Sequence, residues 1–260
     1  MRAPGESRSR CARRRRARIV EVLAAAWAVS IAAPPRALSD TAEMPPTAPP
    51  GTAAVQPPAP PQPAAAPNAP DAQRTGDATL VVEALHENLI RVMKEAQALG
   101  YEGRFAQLDP VIHELFDIPF MAEKSIGRHW KTVDDESRAR LRATFGRFTV
   151  ANYAGRFTDY SGQRFETLRE EASKHGTVLV YSRLVSPDRE PVELNYRLRP
   201  AAGSGWKIID VLLNGTVSEL ALRRSEYSAL IQREGFPALM TALDRRIDDL
   251  ARGAVADQSS

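Results

Sequence analysis

The 260-residue chain predicts an α+β fold in which helices precede a four-stranded antiparallel sheet and two more helices close the domain. Three observations carry that reading. The hydrophobic period is helical up to about residue 155 and changes to two from Gln163. Four strand-like runs then follow, separated by turn chemistry at Lys174-His175-Gly176, Pro187-Asp188-Arg189 and Ala202-Gly203-Ser204-Gly205. The last run, 206–213, is too apolar for a strand with a wet face, and Asn214-Gly215 ends it because both residues tolerate positive φ. Ser218 then stands where a helix N-cap would, with Glu219 in the first turn.

The chain begins with a basic, then apolar, then small-residue leader. The first 36 residues hold nine Arg against Glu6 and Glu21, so they carry +7 of a net +3 and the remainder is acidic at −4. The basic balance therefore belongs to the leader and gives no argument for nucleic acid. Residues 19–33 are apolar apart from Glu21 and Ser30 and short of the roughly 20 residues a spanning helix needs. The pattern is that of a cleaved signal peptide over 1–39, exporting the chain to the periplasm, with an uncleaved anchor as the alternative. Cys11, the only Cys, leaves with it. Residues 40–76 hold eleven of the 20 Pro and read as a disordered Pro/Ala-rich linker. It serves as a spacer, or as a tether if the leader stays attached.

The folded domain is expected over 77–253, with a disordered tail at 254–260. Asp77 can cap a helix to residue 98 with Val81, Leu85, Leu89, Val92 and Ala96 in phase and Gly100 as the stop. Asp109-Pro110 signals a new helix, and Pro119 divides 110–116 from 118–126, which Gly127 ends. Asp134-Asp135-Glu136 opens a helix carrying Leu141, Phe145, Phe148 and Tyr153 on one side and Arg138, Arg142 and Arg147 toward water. Strands are expected at 165–171, 177–186, 190–199 and 206–213, then helices at 218–234 and 237–251 with Gly235 between them.

Catalytic signatures are missing: there is no phosphate-cradling loop, no GxSxG elbow and no dinucleotide fingerprint. His113-Glu114-Leu115-Phe116-Asp117 misses a zinc helix because Asp117 stands at the second His, so no metal and no cofactor is expected. His86, His129 and His175 share no spacing and read as ordinary residues. Asp210 on an apolar strand must be paired, and Arg224 is the partner the sequence offers. What stands out is the supply of large apolar side chains, which suits either a core or a ligand pocket.

Several blocks nevertheless carry a resemblance. Trp206-Lys207-Ile208-Ile209-Asp210-Val211, Gly215, Ser218 and Arg224-Ser225-Glu226-Tyr227 resemble the C-terminal signature of the MlaC-like (toluene-tolerance) periplasmic phospholipid-binding family. Phe116-Asp117-Ile118-Pro119-Phe120-Met121-Ala122 with Gly127 and Trp130, Phe145-Gly146-Arg147-Phe148 with Tyr153, and Gly235-Phe236 with Leu239 resemble its other blocks in order. The chain departs from the pattern at Ile118, where an aromatic is usual, in the two residues between Gly215 and Ser218, and in the long Pro-rich insert. These departures point to a divergent branch, and one such branch accompanies hopanoid biosynthesis.

The resemblance implies a twisted sheet wrapped by helices around a deep apolar cavity, and no enzyme activity. It implies a periplasmic carrier of a phospholipid or a hopanoid-type lipid. That carrier works as a monomer with an inner-membrane ABC transporter complex and an outer-membrane lipoprotein/porin complex, in keeping outer-membrane lipid asymmetry. On it, the lipid-binding residues are Phe116, Phe120, Met121, Trp130, Phe145, Phe148, Tyr153, Tyr181, Tyr196, Ile208 and Val211, with Tyr181, Tyr196 and Ile208 sharing a sheet face. Asp210, Gly215, Ser218 and Arg224 are structural. Two rivals remain: a tethered interaction module with a solid core, and a small-pocket acid–base enzyme using Asp210 or His129.

Overall fold

The computed structural model describes residues 69–258 apart from 188 and 202–204, with only the backbone described at 69–76 and 254–258. The expected signal peptide at 1–39, the linker as far as residue 68, Asp188, residues 202–204 and 259–260 of the expected tail lie outside the described residues.

Six α-helices and five strands make up the described residues. Helix α1 (Ala69–Lys94) is followed by α2 (Ala96–Leu115), α3 (Ile118–Ile126), a 3₁₀ turn (Gly127–Thr132) and α4 (Asp135–Arg156). Strands β1 (Arg164–Ala172), β2 (Val178–Ser186), β3 (Arg189–Pro200), β4 (Trp206–Leu213) and β5 (Val217–Ser218) come next, then α5 (Glu219–Glu234) and α6 (Phe236–Gln258). Helix α1 starts eight residues earlier than the Asp77 cap predicts, inside what composition reads as linker, and α6 runs beyond residue 251 into the expected tail.

Three helix starts lie where the acids and hydroxyls place them. The Phe120 amide donates to Asp117 Oδ1 at 3.1 Å, the Ser137 amide to Asp134 Oδ1 at 2.8 Å, and the Ala221 amide to Ser218 Oγ at 3.0 Å. Gly127 at φ 54° ends α3, and Gly235 at φ 86° separates α5 from α6. Asp109-Pro110 does not start a helix. The chain breaks at Gly100, φ 60°, and then runs helically through Pro110 to Leu115. A Pro inside a helix costs about 3 kcal/mol. Burial of Leu108 and Ile112, both fully enclosed, offsets it.

The sheet is an open antiparallel meander in the order β1-β2-β3-β4-β5. It has five strands where four were expected, because the chain turns at Asn214 (φ 49°) and Gly215 (φ 77°) and lays Val217 and Ser218 back against Leu213 and Leu212. On β4, Ile208 pairs with Leu198 and Val211 with Tyr196, although they are three residues apart. The register slips by one between these pairs, so Ile208 and Val211 both reach the inner face. On β2 the alternation is strict: Val178, Val180, Ser182 and Leu184 are buried, and the residues between them are not. Tyr181 is therefore on the outer face, and the single face expected for Tyr181, Tyr196 and Ile208 is corrected on this point. The core lies between the inner face and the helices. The Asp117 amide donates to the Ile208 carbonyl at 2.9 Å and so stitches the start of α3 directly to the sheet.

Candidate binding site

A groove of about 570 Å³ opens between the C-terminal half of α1 and the start of β1. His86, Glu87, Ile90, Arg91 and Lys94 reach it from α1 because positions i, i+4 and i+8 and their neighbours share a helix face, and Glu95 joins them from the turn just after α1. Tyr160, Gln163, Arg164 and Phe165 close it from the other side. Its rim is charged: Glu87, Arg91, Lys94 and Glu95 are exposed, and the Lys94 ammonium stands 5.4 Å above the Tyr160 ring. Its floor is aromatic, with His86 stacked on Phe165 at 4.0 Å and an interplanar angle of 4°.

From that floor a series of rings runs inward. Phe165 meets Phe157 at 6.3 Å, Phe157 stacks on Tyr153 at 5.8 Å, and Tyr153 meets Phe116 edge-on at 5.7 Å. His86 also meets Tyr196 edge-on at 5.4 Å, with Nε2 3.2 Å from the Tyr196 hydroxyl. Burial holds His86 down at about pH 3, so its ring is neutral, and burial pushes the Tyr153 and Tyr196 hydroxyls above the ordinary range for tyrosine. Four residues expected in a ligand site, Phe116, Tyr153, Tyr196 and Ile208, are thus brought together. Phe116 and Ile208 face each other across the bridge that joins α2 to β4.

The other expected residues divide. Met121, Phe145, Phe148 and Val211 are buried in the same core. Phe145 and Phe148 lie under the Arg223 guanidinium, 5.3 and 4.9 Å away. Phe120 and Trp130 are only partly buried and face cations. Arg199 stands 4.2 Å over Phe120 and ion-pairs with Asp117 at 2.6 Å. Arg142 stands 4.9 Å over Trp130, and Arg138 Nε donates to the Trp130 carbonyl at 3.0 Å. Tyr181 is outside, under Arg169 at 3.7 Å, with its hydroxyl donating to Glu171 at 3.0 Å.

Asp210 is buried, and burial pushes its carboxyl up. Its partner is the start of α5 rather than Arg224: Ser218 Oγ donates to Oδ2 at 2.5 Å and the Leu220 amide to Oδ1 at 3.0 Å. Both oxygens are engaged in positioning the start of α5. Arg224 is exposed on α5 and lies against Gly127, where a Cβ would meet its Nε at 2.7 Å. At Gly215 a Cβ would collide with the Glu193 carboxylate.

Sequence reasoning passed over the interior charges. Glu219 and Arg223, each 4% exposed, form an ion pair one turn apart on α5, and Arg156 is buried as well. Burial pushes Glu219 up to about 7 against the pull of Arg223 and Arg156, and brings Arg156 down to about 9. Arg104 is fully enclosed, donating to the carbonyls of Ala154 at 2.9 Å and Ala96 at 3.0 Å. The signal was helical phase. Glu219, Arg223, Tyr227 and Leu230 share one face, and Val82, His86, Leu89 and Met93 share another.

The chain's relatives can be set beside this geometry. Residues 83–245 match the family model described as MlaC protein. Among solved structures, the fold is similar to that of the phospholipid-binding protein from Ralstonia solanacearum, solved in complex with a phospholipid. The TM-score is 0.59 at 21% sequence identity, over 68% of this chain and 98% of that one, and at that identity the likeness is one of fold. No curated protein matches the chain.

Proposed function

The chain belongs to the MlaC protein family, and on that premise we propose that it is a periplasmic lipid carrier. It sheathes the acyl chains of a phospholipid between the inner face of the sheet and the helices, and makes or breaks no bond. The observation that carries the reading is the run of packed rings from the groove at His86 and Phe165 to Phe116, an apolar interior that begins at the groove floor. The Ralstonia protein of similar fold, solved with a phospholipid, supports it.

Phe116, Met121, Phe145, Phe148, Tyr153, Tyr196, Ile208 and Val211 line the acyl site, with Phe120 and Trp130 at its margin. Tyr181 does not contribute. Burying hydrocarbon at about 25 cal/mol per Å² offsets withdrawal from a bilayer. The leader over 1–39 exports the chain, residues 40–76 act as a spacer, and the domain over 77–253 shuttles lipid. Its stations are an inner-membrane ABC transporter complex and an outer-membrane lipoprotein/porin complex. A hopanoid-type polycyclic lipid is the alternative cargo.

Native mass spectrometry of the full chain, purified without detergent and then offered lipid vesicles, tests this. A stoichiometric lipid adduct is expected, and its mass separates phospholipid from hopanoid. An apo mass before and after vesicles overturns the carrier reading and leaves the tethered interaction module.

A further inference from the structure

We propose that the groove between α1 and β1 seats the lipid headgroup, and that the headgroup it selects carries a phosphate beside an ammonium. This rests on the carrier reading and narrows it to a headgroup class. The charges along the groove alternate. Glu87 and Arg91 on α1 and Glu95 in the turn that follows it stand at i, i+4 and i+8, about 6 Å apart at 1.5 Å per residue. Lys94 and Arg164 add cations on either side, and Tyr160 offers an aromatic face.

The lining thus holds three cations and two carboxylates. Part of the cationic set is already engaged: Arg164 pairs with Glu166 at 2.7 Å, Arg91 donates to Asn88, and Lys94 stands over Tyr160. A purely anionic head, such as phosphoglycerol, offers the Glu87 and Glu95 carboxylates only hydroxyl donors and no opposite charge. A phosphate–ammonium head places its phosphate on Arg91 and Lys94 and its ammonium beside the Glu87 and Glu95 carboxylates. Discrimination then comes from the mismatch of the wrong head as much as from attraction of the right one. Below the rim the wall turns apolar at Ile90 and at the neutral His86–Phe165 stack, which is where a glycerol ester gives way to hydrocarbon.

The test offers the full chain vesicles of equal phosphatidylethanolamine and phosphatidylglycerol with identical acyl chains, and identifies the bound lipid by mass. Glu87, Arg91, Lys94 and Glu95 are exposed, so their substitution spares the fold, which an unchanged thermal midpoint verifies. Wild type is expected to enrich the ethanolamine lipid severalfold. Glu87→Gln with Glu95→Gln lowers the bound ethanolamine lipid and returns the bound pool to the vesicle ratio. Arg91→Ala with Lys94→Ala lowers both lipids about tenfold. Uptake at the vesicle ratio by wild type and variants alike overturns the headgroup seat and leaves the carrier reading standing, whereas no uptake from any vesicle overturns the carrier reading itself. Glycerophosphoethanolamine is offered alone in a parallel arm. If it binds in a Lys94-dependent way while vesicles yield nothing, the seat serves a soluble zwitterion and the lipid source is overturned.

Discussion

His86→Phe is expected to flatten the acid side of the stability profile. His86 is buried, stacked on Phe165, and held down at about pH 3 by burial, against 6.5 in the unfolded chain. A base whose folded pKa is depressed contributes stability that is fully present above the unfolded pKa and lost as pH falls toward the folded one. Between 6.5 and 3 the unfolded chain binds a proton that the folded chain refuses. At pH 5.0 that amounts to 1.5 of the available units, about 2 kcal/mol, and at pH 7.5 to almost nothing. Phenylalanine keeps the stack and cannot titrate. It also strands the Tyr196 hydroxyl, at a cost of about 1–3 kcal/mol that does not vary over this pH range. Urea titrations of both proteins at pH 7.5 and 5.0 isolate the difference. Wild type should lose about 2 kcal/mol more than His86→Phe on acidification. Equal losses would refute the reasoning, since the carboxylates that also titrate are common to both chains.

The start of α5 supplies a paired prediction: Ser218→Ala should cost about 1 kcal/mol in urea denaturation, and Arg224→Ala less than about 0.5 kcal/mol. The reverse order would restore Arg224 as the partner of Asp210. Gly215→Ala should destabilise by more than about 1 kcal/mol, read as a lower thermal midpoint, because Gly215 sits at φ 77° and the methyl meets Glu193. Tyr181→Ala should leave the lipid adduct in native mass spectra at wild-type stoichiometry, since its ring lies on the outer face under Arg169. A lost adduct in a folded variant would place Tyr181 back in the site.

Four of the five strands and most helix ends were legible in the sequence because each depends on neighbours only a few residues away. The caps at Asp134 and Ser218 and the stops at Gly127 and Gly235 are backbone requirements met within one turn. The period of two in β3 likewise places Tyr196 and Leu198 on the buried face. The α+β class follows from that local grammar, whereas the family rests on the resemblance of particular sequence blocks and on the family model matched over 83–245. Where local signals compete with packing, the sequence misleads: Asp109-Pro110 looks like a start, yet α2 continues through it because Leu108 and Ile112 bury on the same face.

Tertiary structure alone decided the rest. Tyr181 and Tyr196 both alternate correctly within their own strands, but which face is inward depends on register, and the slip in β4 is visible only against β3. Glu219 and Arg223 on α5 and Arg156 at the end of α4 are buried, which only the packing of distant elements reveals. The groove joins residues of α1 to residues of β1 some 70 positions later. Charge and apolarity along the chain state what each side chain prefers. Whether it meets water, an opposite charge or a ring is set by elements far away in sequence, and in this protein the candidate site is made almost wholly of such meetings.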